Sequence, residues 1–254
     1  MGEATAAAPP DVPPPPWQKQ RKAAARPPIT QDLIVTTALR VLDTESLESV
    51  SMRRVAQELE TGPASLYAHV ANKKELLDLM FDRVAGEIEL PGPLDPERWR
   101  EQVRDLAVSM HATLSRHSDI ARVALANIPT GPNALVVSER LLAILITGGV
   151  PVQAAAWALD RLALYICGDA YESSLWAVAM RESGLDVAAF VASMSGELRA
   201  YFASLPAEHF PHTVAHVDVL TSGGGPERFL FGLDLMLDGL AAQVPAPPRR
   251  RAVR

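Results

Sequence analysis

The twenty residues from Met52 to Ala71 (MRRVAQELETGPASLYAHVA) admit few folds. They hold two apolar stretches at helical spacing, each too short for an ordinary helix, with Gly62-Pro63 between them. Ser51 stands where its hydroxyl can cap the orphan N–H groups of a first helix. Val55, Ala56 and Leu59 give that helix one apolar face, on which the small Ala56 lets another helix approach closely. Thr61 or Gly62 then caps a second helix with Pro63 at its first position, where the missing N–H costs nothing. Leu66 and Val70 turn inward together, as their i, i+4 spacing requires. Outward stand Ser65, Tyr67, Ala68 and His69, groups that suit base edges and phosphate oxygens when a helix N-terminus enters a major groove. Arg53, in the first turn of the preceding helix, reaches the same groove or its wall. The pattern predicts a helix-turn-helix DNA reader with the contact set Ser51, Arg53, Thr61, Gly62, Pro63, Ala64, Ser65, Tyr67, Ala68, His69 and Lys73.

The flanks support this reading. Thr30 caps an earlier helix, with Ile29 and Ile34 placed as a hydrophobic staple and Leu33, Ile34, Ala38, Val41 and Leu42 as its buried stripe. After the reading helix, Asn72-Lys73-Lys74-Glu75 makes a cap with an acidic third position. Leu76, Leu77, Met80, Phe81, Val84 and Ile88 then continue a long amphipathic helix. Lys73 and Lys74 sit where a phosphate lies.

From Ile29 to Leu90, and most clearly through SLYAHVANKKELLD, the chain resembles the tetracycline-repressor-like (TetR) transcriptional regulators. The Leu66-Tyr67 pair, His69, Lys73 and the Leu76-Leu77 pair stand at that family's motif spacing. The resemblance implies an all-α homodimer with an N-terminal three-helix DNA-binding head and a C-terminal helical bundle that senses a ligand and dimerises. One position departs from the pattern: where such turns often carry glycine, this chain has Glu60, and the glycine comes at Gly62. A glutamate at positive φ is strained, which predicts a differently shaped turn and a reading helix aimed differently.

Composition bounds the rest. The chain has 254 residues, 48% of them hydrophobic, enough for a core beyond a small head and for one or two units. No apolar run approaches the ~18 residues of a membrane span, and the Ala- and Pro-rich start lacks the order of a secretory signal. A cytoplasmic protein with no membrane partner is expected. The lone Cys167 excludes an internal disulfide and reads as a buried small residue or a redox sensor.

The net charge of −6 at first argues against a polyanion partner, but its distribution removes the objection. From Trp17 to Lys74 nine basic residues face six acidic ones, a net of +3 that leaves −9 for the remainder. Such asymmetry keeps the body off the duplex while the head meets it. Lys19, Arg21, Lys22 and Arg26, at the end of a disordered leader (1–28), either follow phosphates or form a solvated tail.

The head spans 29–90, the ligand-binding and dimerisation body 91–245, and a basic tail 246–254 carries Arg249, Arg250, Arg251 and Arg254. Pro91-Gly92-Pro93 opens the body. Helices are expected over about 96–115, 118–127, 133–147, 151–179, 186–205 and 226–244, with a loop holding His209, His212 and His216 before the last. The helices over 151–179 and 226–244 are apolar on more than one side. Such helices need cover on both faces, and a second subunit supplies it; in the resembled family these two helices build the dimer interface. Two reading helices must in any case meet half-sites about 34 to 36 Å apart.

Trp157, Arg161, Tyr165, Asp169, Glu172 and Trp176 recur at spacings of three or four and mix rings with hydrogen-bonding groups, as ligand pockets do. The same stripe also fits interface or core packing. Met80, Phe81, Trp99, Val103, Met110 and Leu114 form a candidate second wall. An apolar pocket with few polar groups suits a hydrophobic effector, aromatic or polyketide-like. No cofactor is required. His117 and Glu172 resemble, by position, residues with which tetracycline-binding members hold a magnesium–drug chelate, so magnesium enters only as part of a ligand. One histidine and one distant carboxylate make no metal site alone, and the later histidines lack the cysteine or paired carboxylate of a zinc site.

An enzyme reading finds no phosphate-binding glycine loop, no Gly-x-Ser-x-Gly elbow and no Glu-x-x-His pair. A nonspecific architectural DNA protein calls for a more basic body. The expectation is a ligand-responsive regulator, a repressor before an activator.

Overall fold

The computed structural model describes residues 28–245 except 118, 127 and 129. The leader with Lys19, Arg21, Lys22 and Arg26, and the tail with Arg249, Arg250, Arg251 and Arg254, lie outside the described residues. Within them there are twelve helices and no strand. The head holds α1 (Gln31–Thr44), α2 (Met52–Glu58) and α3 (Pro63–Tyr67), and α4 (Lys73–Ala85) leads from it into the body. The body holds α5 (Trp99–Arg116), α6 (Ile120–Ala126), α7 (Pro132–Thr147), α8 (Val152–Ser183), α9 (Val187–Ala203), α10 (Pro211–Ala215), α11 (Val217–Leu220) and α12 (Gly225–Ala241).

Local chemistry sets the starts of the head helices. The Thr30 hydroxyl accepts the Leu33 N–H at 3.1 Å, Ser51 accepts the Arg54 N–H at 3.1 Å, and Asn72 accepts the Glu75 N–H at 2.9 Å. Glu75 reaches back to the Ala71 N–H, one residue before the cap, at 2.6 Å. Ile34, Leu42, Val55, Leu66 and Leu76 are fully buried where these helices meet. One core continues from the head through Met80 and Val84 into Leu106, Leu114, Ile144, Leu162 and Leu233 of the body.

Three expectations are corrected. The helix after the reading helix stops at Ala85 rather than running through Ile88, because Glu87 and Ile88 bond three residues back to Val84 and Ala85. The stretch with His212 and His216 is not a plain loop: Pro211 starts the short α10 and the two imidazoles stack 6.5 Å apart. The turn after α2 keeps the shape a glycine permits, because Glu60 itself takes the left-handed conformation at φ 50°. Its N–H bonds to Gln57 and the Thr61 N–H bonds to Ala56, the paired bonds of a Schellman C-cap.

Candidate nucleic-acid interface and effector cavity

The reading helix α3 is only five residues long, and its neighbours hold it. Leu66 and Val70 are buried in the head core, while Pro63, Ala64, Ser65, Tyr67, Ala68 and His69 are exposed, Tyr67 by 53%. Gly62 is the N-cap and Pro63 the first helical residue. Thr61 is half-buried, and its hydroxyl donates to Ser65 at 3.3 Å. The backbone carbonyl of His69 accepts from Gln31 at 3.2 Å, tying the end of α3 to α1.

Cations at the rim divide into two kinds. Arg54 is held by Glu45 at 2.7 Å and Glu58 at 2.8 Å, and Lys74 by Asp78 at 2.8 Å, so these support the scaffold. Arg53 and Lys73 are exposed and pair with no carboxylate among the described residues. The predicted contact residues therefore lie on or beside one exposed face, with Ser51 spent on its cap.

A cavity of about 380 Å³ lies within the body, directly behind α4. Its wall comprises Phe81 and Ala85 of α4, Ile88, Met110 and Leu114 of α5, Ala124 and Leu125 of α6, and Ile128. Ala134, Val137 and Ser138 of α7 and Asp160, Ala163, Leu164 and Cys167 of α8 complete it. The volume is that of a site for a drug-sized molecule. Ser138 and Asp160 are its polar side chains apart from the thiol of Cys167, which burial pushes up to about 11 and so keeps protonated.

Of the sequence-predicted ligand residues, Phe81, Met110 and Leu114 line this cavity; the other ten, Met80 among them, do not. Trp99 and Val103 are buried in the core, and Trp99 packs so closely over Gly148 that a Cβ there overlaps its ring. Tyr165 stacks on Phe229 at 5.5 Å and donates to its carbonyl at 2.7 Å; Asp169 bonds His111 at 2.7 Å. Arg161 pairs with Asp160, and Glu172 is exposed. Trp157 and Trp176 of α8 stand 69% and 47% exposed.

His117 belongs to the junction of head and body. Its Nε2 bonds Glu87 at 3.0 Å, and Nδ1 stands 3.6 Å from Asp43 of α1, an ion-pair distance beyond hydrogen-bond reach. Asp43 first, and Glu87 with it, raise the imidazole above the ordinary histidine value against the opposing effect of burial. The lining from α6 and α7 was missed because its residues are small or ordinary aliphatics. The one local signal, alanines at 85, 124, 134 and 163, also fits close helix packing.

A small head presenting a short exposed helix, joined to an all-helical body with a partly open apolar cavity, defines a ligand-responsive helix-turn-helix regulator. Residues 34–80 match the bacterial regulatory proteins of the tetR family, and residues 92–244 match the tetracyclin repressor-like C-terminal domain. The chain belongs to the TetR family. The HTH-type transcriptional repressor DrrR1 of Streptomyces coeruleorubidus is 34% identical over 219 residues, 86% of this chain and 80% of that protein. Apo ActR of Streptomyces coelicolor is 42% identical and superposes with a TM-score of 0.75, covering 87% of this chain and 98% of its own. ActR in complex with actinorhodin superposes at 0.76, again 42% identical, covering 87% of this chain and 100% of its own.

Proposed function

We propose that this chain is a homodimeric repressor that reads a palindromic operator with α3 and is released when a small hydrophobic molecule occupies the cavity. The observation that carries the reading is the position of α4. Its N-terminal end follows the reading helix directly, and its other end supplies Phe81 and Ala85 to the cavity wall. A molecule that spreads this wall shifts α4 and with it the spacing of two reading helices, which must match one turn of DNA. Such release requires the effector to bind the released state better, by about 5.5 kcal/mol for a full reversal from 99:1 to 1:99.

Several features support the finer points. Trp157, Leu175 and Trp176 of α8, with Phe231 and Leu235 of α12, are exposed apolar side chains that a second copy covers. The cavity's apolar wall suits an aromatic or polyketide-like effector, and a protein 42% identical binds actinorhodin. No enzymatic step is assigned: a protonated thiol, one hydroxyl and one carboxylate paired with Arg161 make no nucleophile–base couple in the cavity. No metal is assigned either, since His117 turns both ring nitrogens to Asp43 and Glu87.

The test is selection of random duplex DNA on the full-length protein at fixed salt, repeated with Tyr67→Ala. One inverted repeat should emerge with the wild type and none with the variant, at unchanged helical content and dimer mass. Survival of specific binding in Tyr67→Ala removes α3 as the reading helix.

A further inference from the structure

We propose that Asp82 is the positioning residue that couples the cavity to the reading head, by capping α7 from α4. The inference rests on the repressor reading above.

The N-terminus of α7 has no side-chain cap of its own: Gly131 is the N-cap residue and Pro132 follows it. The orphan N–H groups of a helix start need acceptors, and one comes from another helix. Asp82 Oδ1 accepts the Ala134 N–H at 3.0 Å, and Oδ2 accepts from the Asn133 side-chain amide at 3.1 Å. That amide also donates to the Asp82 backbone carbonyl at 3.1 Å. A carboxylate at this end of a helix is favoured by the helix dipole as well. Gly131 is extended, with φ −70° and ψ 152°, so its backbone does not call for glycine. The space does: a Cβ on residue 131 would overlap the Asp82 carboxylate.

The neighbours of Asp82 give the cap its meaning. Phe81 lines the cavity, Asp82 holds α7, and Arg83 ion-pairs with Asp32 and bonds Thr36, both on α1. Three consecutive side chains thus address effector, body and head. Ala134 is at once the residue whose N–H is capped and a residue of the cavity wall. Any molecule that widens the gap between α4 and α7 stretches this bond directly. Further ties between head and body, His117 to Asp43, Arg122 to Glu48 and the Leu47 N–H to Asp119, join residues that do not line the cavity.

The cap therefore belongs to the DNA-competent arrangement. Breaking it must weaken operator binding even with the cavity empty, because α4 loses the contact that fixes its position.

The experiment measures operator affinity by fluorescence anisotropy for the full-length wild type, Gly131→Ala, Asp82→Asn and the exchange Asp82→Asn/Asn133→Asp. Hydrogen exchange at Ala134 is followed in the same samples, well below unfolding. Asp82→Asn sets two amide groups donor to donor, and the exchange restores one donor and one acceptor between the side chains while giving up the bond to the carbonyl of residue 82. The single variants should lose about tenfold in operator affinity, the scale of one charged hydrogen bond, with faster exchange at Ala134. The double variant should recover part of both, since the side-chain pair is restored and the bond to the carbonyl is not. Wild-type affinity in the single variants, despite accelerated exchange at Ala134, overturns the proposal, as does a double variant no better than Asp82→Asn. Absence of any specific operator for the wild type overturns the repressor reading itself, and is seen before a variant is made.

Discussion

Replacing His117 by glutamine should remove a pH-dependent strap between head and body. The imidazole side chain is 16% exposed, against about 40% for Asp43 and Glu87, so the bond to Glu87 is partly screened. A hydrogen bond to a charged group contributes about 1.5–3 kcal/mol. With half-exposed partners the lower end applies, about 1–2 kcal/mol. The His117 pKa is raised in the folded protein from 6.5, with Asp43 the first cause. The extra stability is therefore fully present below pH 6.5 and is lost as pH rises through the higher folded value. Scanning calorimetry of wild type and His117→Gln should show a gap in Tm of about 2–8 °C at pH 6 for a chain of this size. The gap should shrink toward pH 9, where imidazole and amide are both neutral. A gap that stays constant or widens with pH refutes the assignment of charge to this strap.

Two further outcomes follow from the interface and the cavity. Lys73→Ala should weaken binding to all duplexes alike and lower the slope of log affinity against log salt by about one unit, measured by anisotropy from low to moderate salt. Cys167, with its thiol pushed up to about 11, should resist iodoacetamide at pH 8 in the folded protein and react on unfolding, read by intact mass.

The head was legible because its signals are local. A cap such as Ser51, Thr30 or Asn72 acts three residues away, and Leu66 with Val70 marks the inward face within one turn. At Glu60 the reading correctly identified the strained position, yet the wrong resolution followed: the paired bonds of the C-cap hold the glutamate where glycine usually sits. The cavity was mostly illegible because empty space carries no residue pattern. Conspicuous aromatics on α8 drew the prediction outward, whereas the wall is built where alanines leave room between Phe81, Met110 and Leu114. Tyr165 and Asp169 have the polar groups of a pocket, but they spend them on Phe229 and His111.

The 32 residues of α8 run without a break, a rod of roughly 48 Å at 1.5 Å per residue. Ala163, Leu164 and Cys167 on it close the cavity, and Trp157 and Trp176 on it stand exposed. In mechanical terms the proposed release makes α8 a stator and α4 the moving arm. In the proposed release mechanism, displacement at the cavity works against this unbroken helix and leaves by the short α4 toward the groove. The same division frees ligand preference to drift: substitutions of the α8 residues that line the cavity can reshape what it takes without altering the exposed side chains of α3.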